Sequence, residues 1–370
     1  TADDIEINQE AGATPDNLKE DFKPFWESFE LLRENFVDQP LDTTTLVQGA
    51  IRGMLKSTGD KNTNYMTPIE QDMMSENMSG EIEGIGAEVD TSGEYLRVIA
   101  PLPGSPAEAA GMLPGDTIIA VDGKDVSDID PFEVIAQVRG PAGTTVNITL
   151  KREGLLEPLI IEITRYNFVV LSVESEILTN QIAYVKINRF GDRTEEELRS
   201  QLRTLLSDDT LGLILDLRNN PGGFLDAGIG VTSQFVNDQV VMIEKFGDGR
   251  EREYRSRRDG LATEIPLVVL INRGSASASE IVASAVKDYK RGTLVGETTY
   301  GKGTVQTWIN LTDNRGSVRI TFARWVGPLG KSIDAQGVEP DIEIQLSYED
   351  HQSNIDPQLD AAIALFPENN

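Results

Sequence analysis

Apolar positions fall into three textures along the chain. Between about Asn17 and Lys56 they recur every three or four residues, with Phe22, Phe25, Trp26, Phe29 and Leu32 in register, and Thr45 to Leu55 repeats the spacing. That period predicts amphipathic helices. The acidic, Gly- and Pro-containing residues 1–17 before them read as a loose arm, and "GDKNTNYMTP" (59–68) as a loop with turn chemistry. From about Gly80 the pattern shortens to strands split by Gly and Pro: "EYLRVIAPL", "DTIIAVDGKDV", "TTVNITLKRE" and "LIIEITRY". With one helical insert, "DPFEVIAQV" (130–138), they predict a mainly β module ending near Tyr166.

From about Val169 strands and helices alternate. "IAYVKINRF" (182–190) reads as a strand, and "TEEELRSQLRTLL" (194–206) as a helix with Leu198, Leu202, Leu205 and Leu206 on one face. "LGLILDLR" (211–218) and "PLVVLIN" (266–272) are continuous apolar runs, as strands buried on both faces require. "NNPGG" (219–223) is a turn, "ASEIVASAVKDY" (278–289) a helix, "SVRITFARWV" (317–326) a half-exposed strand, and "DPQLDAAIALF" (356–366) a capped helix. The expected architecture is an α/β core over 167–370, an inserted β-rich domain over 80–166, and an arm with a helical region over 1–79 that packs with the core.

Composition narrows the function. With 61 acidic and 33 basic residues the net charge is −28, which repels nucleic acid and anionic membrane surfaces. The absence of cysteine excludes disulfides, thiolate catalysis and cysteine zinc sites. No apolar run approaches the roughly 20 residues of a membrane span. The first residues, "TADDIEINQE", lack an initiator Met and a leader-like pattern, so a signal peptide or anchor is expected to have been removed.

Candidate chemistry concentrates in "GSASASEIVASAV", which begins at Gly274 and holds Ser275, Ser277 and Ser279. A capping box formed by Ser277 and Glu280 would by itself account for this helix start. The helix also follows a buried strand directly, and its N-terminal amides and partial positive charge suit a developing oxyanion. The segment is not a G-x-S-x-G elbow, and the single histidine, His351, lies beyond the core motifs. Lysine is the other base that activates serine. In "GETTYGKGTVQ" (296–306) Lys302 stands between two glycines, which let the backbone approach other groups closely. A free lysine, with a pKa of about 10.4, is a poor base at neutral pH, and burial lowers that value. Alone, the segment reads better as a solvated lysine in a glycine turn.

Taken together, "GSASASEI" and "LVGETTYGKGTVQ" resemble the C-terminal processing (tail-specific) peptidases, a family of serine–lysine endopeptidases. There the lysine follows the nucleophile by 25 positions, a spacing that selects Ser277 and Lys302 and neither other serine. The resemblance implies that Gln306 orients the lysine, and that the amides of Gly223 (with Gly222 as the alternative) and Ala278 form the oxyanion hole. "ILDLRNNPGG" (214–223), "GDKNTNYMTP" and "KSIDAQGVEPDIEI" (331–344) fit the same family, although Lys61 and Asn62 replace its more usual residues.

"GEIEGIGAEV", "SPAEAAGMLPGDTIIAVDGKDV" and "VRGPAGTTVNITLKR" resemble a PDZ domain. Gly84, Ile85, Gly86 and Ala87 would then offer backbone N–H groups to a peptide's terminal carboxylate, and the strand after them would pair with the peptide. Ile85, Val89 and Ile135 are expected to line the apolar side-chain pocket. Arg139 would link ligand binding to the active site.

These resemblances imply a crotonase-like protease core with a PDZ insertion. The expected activity is a serine endopeptidase that captures unfolded or tagged protein C-termini and cleaves through an acyl-enzyme. No metal or cofactor is needed, and a homo-oligomer or an adaptor protein would be a further partner. The expected location is extracytoplasmic: periplasm, cell envelope or thylakoid lumen. Two other readings stand beside it: a catalytically inactive PDZ-containing binding or scaffold protein of the same fold, and a crotonase-like acyl-CoA enzyme.

Overall fold

The computed structural model describes residues 14–90, 95–102, 104–127, 129, 131–178, 181–346, 350, 353 and 355–367. The first thirteen residues of the expected arm, and His351, lie outside the described residues. The chain divides into two compact units, residues up to 71 with 306–322, and 72–305 with 323 onward.

In the smaller unit the helical period becomes two helices, Lys19–Asn35 and Thr43–Lys56. Asp42 caps the second by accepting from the Thr44 and Thr45 amides. The first buries no residue, and its rings Phe22, Phe25, Trp26 and Phe29 stack edge to face along one side. Within the expected 59–68 loop a short strand, Asn64–Met66, forms because it pairs antiparallel with Ser317 to Arg319. Tyr65 is buried, and its hydroxyl donates to the Arg315 carbonyl at 2.7 Å.

The larger unit is built on a six-stranded sheet. Its order is Val173–Leu178, Ile182–Ile187, Gly212–Asp216, Leu267–Ile271, Thr293–Gly296 and Ile342–Glu343, with the first pair antiparallel and the rest parallel. The two continuous apolar runs are its middle strands, buried at every position. Strand alternation splits them between two cores. Leu213, Leu215, Leu267, Val269 and Ile271 join the helices Thr194–Leu205, Leu225–Thr232 and Ala278–Asp288 in one cluster. Ile214, Val268 and Leu270 meet Ala362 and Phe366 of the C-terminal segment in the other.

The inserted module carries its own core, with Leu96, Val98, Ile118, Val146, Ile148, Leu150 and Ile163 at its centre. Its sheet runs Ala87–Asp90, Arg97–Pro101, Thr117–Val121, Thr145–Lys151 and Leu159–Thr164, so Ala87–Asp90 is an outer strand. Among the described residues, no helix is long and apolar enough to cross a membrane.

Candidate active site

Three neighbouring parallel strands end on one edge of the central sheet. Gly212–Asp216 runs into 217–223, Leu267–Ile271 into 272–277, and Thr293–Gly296 into 297–303. Sites form at this carboxyl edge of parallel sheets, where turns and helix starts converge. The expected oxyanion turn, serine and lysine fall on these three turns in that order.

Two of the three clustered serines are committed to structure. Ser275 Oγ donates to the Leu217 carbonyl at 2.8 Å and accepts from the Asn272 amide, and Ser279 Oγ donates to the Asn220 carbonyl at 3.0 Å. Both are fully buried. Ser277 is half-buried at the start of the helix Ala278–Asp288, with φ +55° and ψ −113°. A residue with a β-carbon stays in that region only where its surroundings over-determine it, at roughly 1–3 kcal/mol of strain.

What holds it there is Glu280. This fully buried carboxylate accepts four hydrogen bonds. Its Oε2 takes the Ser277 amide at 2.8 Å and the Lys302 amide at 3.0 Å, while Oε1 takes the Thr299 hydroxyl and the Gly301 amide, each at 2.6 Å. One oxygen therefore binds the backbones of both expected dyad residues. The sequence pattern presents Glu280 as a helix cap, and its carboxylate does accept the Ser277 amide. Its second role was not legible, because the other donors lie 19 to 22 residues away. The available signal was a lone acid in an otherwise apolar, small-residue helix start.

The glycines flanking Lys302 have a steric reason. A β-carbon at Gly301 would meet the Gly337 and Gln336 amides at 2.9 and 3.0 Å, and one at Gly303 would meet Asp334 at 2.6 Å. The segment quoted as 331–344 is thus the wall behind the lysine loop, and Ala335 donates its amide to the Gly301 carbonyl. Trp325 Nε1 donates to the Lys302 carbonyl at 2.9 Å.

The 219–223 turn is pinned to the serine turn. Ala276 donates its amide to the Asn220 carbonyl, and the Asn219 amide donates to Asn272 Oδ1 at 2.8 Å. The Gly222 amide is taken by Asn220 Oδ1 at 2.9 Å. Around Gly223, Phe190 donates to the Gly222 carbonyl and accepts from Phe224, and neither bond uses the Gly223 amide. A β-carbon at Gly222 would lie 2.8 Å from the Ser277 β-carbon and 2.9 Å from the Ala278 nitrogen, which puts this turn directly against the serine.

Below the turn, the Arg218 guanidinium pairs with Asp216 and reaches Asp356 and Gln358 at the start of the C-terminal helix. Burial opposes the Arg218 charge, but the two carboxylates outweigh it and hold the group charged. The same contacts, against the cost of burial, keep Asp356 below the ordinary carboxylate range. Tyr184 donates to Asp216 at 2.8 Å, and burial and that carboxylate push its hydroxyl far above its ordinary value. Gln306 lies in the smaller unit, where its side chain bonds Arg319 and Thr321.

Comparison with known proteins bears on this arrangement. Over 329 residues the chain is 38% identical to the carboxy-terminal-processing protease of Bartonella bacilliformis, spanning 87% of this chain and 74% of that protein. The chain belongs to the carboxyl-terminal processing protease family. It is 34% identical to the carboxy-terminal processing protease CtpA of Bacillus subtilis, over 92% of this chain and 72% of that one. Residues 181–344 match Peptidase family S41, residues 97–152 the PDZ domain, and residues 2–68 the activating protease CtpB N-terminal domain. Among solved structures, the photosystem II D1 C-terminal processing protease superposes with a TM-score of 0.53 at 31% identity, covering 86% of each chain. The expected family and fold class are thereby established, and a protease activity with them.

The PDZ domain of this processing protease distributes its expected binding residues unevenly. Ile85, only 5% exposed, is part of the domain's own core, so what it can offer a peptide is backbone. Val89 and Ile135 are half-buried against that core. Gly86 holds φ +76°, and a β-carbon there would strike Phe168 and Ser105. Arg139 forms an ion pair with Glu76, and its side chain lies 3.6 Å from where a Gly84 β-carbon would stand. Two residues after Glu76, the Met78 carbonyl accepts from the Asp192 amide, and its methyl stands 3.0 Å from where a Gly223 β-carbon would be.

Proposed function

We propose that this protease is a serine endopeptidase working by a Ser277–Lys302 dyad through an acyl-enzyme. The observation that carries the reading is the shared carboxylate: Glu280 fastens the Ser277 and Lys302 backbones to one oxygen while Ser277 is held in a strained conformation. Neutral Lys302 takes the Ser277 hydroxyl proton as Oγ bonds to the scissile carbonyl carbon. The oxyanion is received by the Gly223 and Ala278 amides. Lys302 then returns the proton to the leaving amine as the C–N bond breaks. A water that gives its proton to Lys302 releases the acyl group, and the proton goes back to Ser277. Gln306 orients Lys302, a role that rests on the family resemblance.

Substrates are protein C-termini, unfolded or tagged. The outer strand Ala87–Asp90 is paired on one side only, which suits strand addition by an extended peptide. Its carboxylate would sit on the amides of Gly84 to Ala87, with Val89 and Ile135 beside its last side chain. Arg139, paired with Glu76 and close to Gly84, and Met78, close to Gly223 on the same helix as Glu76, support a route by which peptide binding acts on the oxyanion hole. The reading includes an extracytoplasmic location, with domain limits at 79/80 and 166/167. A homo-oligomer or an adaptor protein belongs to the same reading as a further partner.

The test is labelling with a fluorophosphonate, followed by incubation with an unfolded protein with and without its last few apolar residues and mass spectrometry of the products. The expected result is a single adduct on Ser277 and faster cleavage of the intact C-terminus. An unlabelled Ser277 and uncut substrate would instead identify an inactive scaffold.

A further inference from the structure

The 59–68 loop has no role in the chemistry above, yet it closes a polar ring around the Gln306 side chain. Arg319 Nη2 donates to Gln306 Oε1 at 2.9 Å, and Gln306 Nε2 donates to Thr321 Oγ1 at 3.2 Å. The Thr321 amide donates to Thr63 Oγ1, which itself donates to Asp60 Oδ2 at 2.6 Å. All these residues lie in the smaller unit.

Each end of the Gln306 carboxamide is thus specified. A guanidinium only donates, so it selects the oxygen end. Thr321 Oγ1 accepts from the nitrogen end. A flipped carboxamide would set donor against donor at Arg319. The Arg319 guanidinium is itself fixed, lying 5.1 Å over the Trp308 ring, with its Nε buried and without a hydrogen-bond partner among the described residues. An enclosed donor of this kind is costly for a fold to keep unless the guanidinium is needed in place. Burial would raise the Asp60 carboxyl, but its hydrogen bonds and the Arg319 charge hold it below the ordinary range, so Asp60 remains the anion the ring needs.

We infer that Arg319, with Thr321 and Asp60 behind it, is a positioning residue that sets the rotamer and flip state of the Gln306 carboxamide. The inference rests on the reading of Gln306 as the residue that orients Lys302. Arg319 touches no reacting atom, so its effect must pass through Gln306.

The experiment is a double-mutant cycle in the full chain, with a quenched fluorescent peptide ending in a free apolar residue as substrate. Arg319→Met is expected to lower kcat about tenfold with KM unchanged within about twofold. Thr321→Val should lower kcat about threefold by the same route. In a Gln306→Ala background neither change should lower kcat further by more than about twofold. Arg319→Lys, which keeps one charged donor, should recover part of the loss, and with Thr321→Val it answers the question if Arg319→Met does not fold. Equal losses with and without Gln306, or a rise in KM at constant kcat, would overturn the inference. A fully active Gln306→Ala beside an inactive Ser277→Ala would also overturn it while leaving the dyad intact. Full activity in Ser277→Ala would instead remove the reading beneath it.

Discussion

The carboxyl edge of the central sheet and the outer strand of the PDZ domain are both places where a sheet stops, and they are finished differently. At the carboxyl edge each turn is tied to its neighbour: Ala276 to Asn220, Asn219 to Asn272, Ser277 and Lys302 to Glu280. The outer strand Ala87–Asp90 alternates half-buried and exposed positions and pairs on one side only. The difference teaches what each task requires. The proposed bond making needs atoms held before the substrate arrives, which fits an edge that spends its polar groups on itself. The proposed capture of varied chain ends needs backbone that still has hydrogen bonds to give.

The comparison breaks first at the dyad. Ser277→Ala and Lys302→Arg should each lower kcat/KM for a peptide substrate by about a thousandfold or more, with the fold retained by circular dichroism, because arginine keeps the charge but cannot serve as a base. Activity at near wild-type level in either variant would show that the tied edge is not the site of reaction. Next in size is Glu280→Gln. A carboxamide nitrogen would face two donors, and we expect a loss of roughly 3 kcal/mol in urea unfolding together with about a hundredfold lower kcat. A stability loss without a kcat loss would mean that the fastening serves the fold alone.

On the recognition side, effects should be milder and appear in KM. Amidating the substrate's C-terminus removes the charge that the PDZ amides would meet, and KM should rise about tenfold with kcat held. An unchanged KM would separate the outer strand from carboxylate capture. The smallest effect concerns pH. Asp356 has a folded-state pKa below its ordinary 3.8, so its contribution to stability is present above that value and is lost as pH falls through the lowered one. Asp356→Asn should therefore unfold more easily than wild type at neutral pH, and the gap between them in chemical denaturation should narrow as pH falls below about 4.

Much of this was legible in the sequence for physical reasons. Buried parallel strands must be apolar at every position, so "LGLILDLR" and "PLVVLIN" announced themselves. The choice of Ser277 among three serines came instead from the family resemblance and its 25-residue interval to Lys302; in the structure the hydroxyls of Ser275 and Ser279 are taken up by backbone carbonyls. What escaped was whatever depends on distant pairing. Glu280 looked like a local cap because three of its donors come from another strand's turn. Ile85 looked like a pocket residue because alternation cannot tell a groove from a core. The ring around Gln306 joins residues more than 240 positions apart, and no periodicity reports on that.

The Glu280 fastener also bears on how such an enzyme survives its own synthesis. On the proposed reading, a protease for unfolded chains itself emerges as an unfolded chain, surrounded by other copies of its substrate. Ser277 and Lys302 belong to turns after two different strands, and the oxygen that joins them belongs to a third position, the first turn of the intervening helix. Ser277 and Glu280 are close in the chain, but Lys302 does not reach them until Leu267–Ile271 and Thr293–Gly296 have paired and that helix has docked. The proposed nucleophile and base are therefore strangers in the nascent chain, and on that reading cutting power arrives only once the protein has ceased to be food for itself.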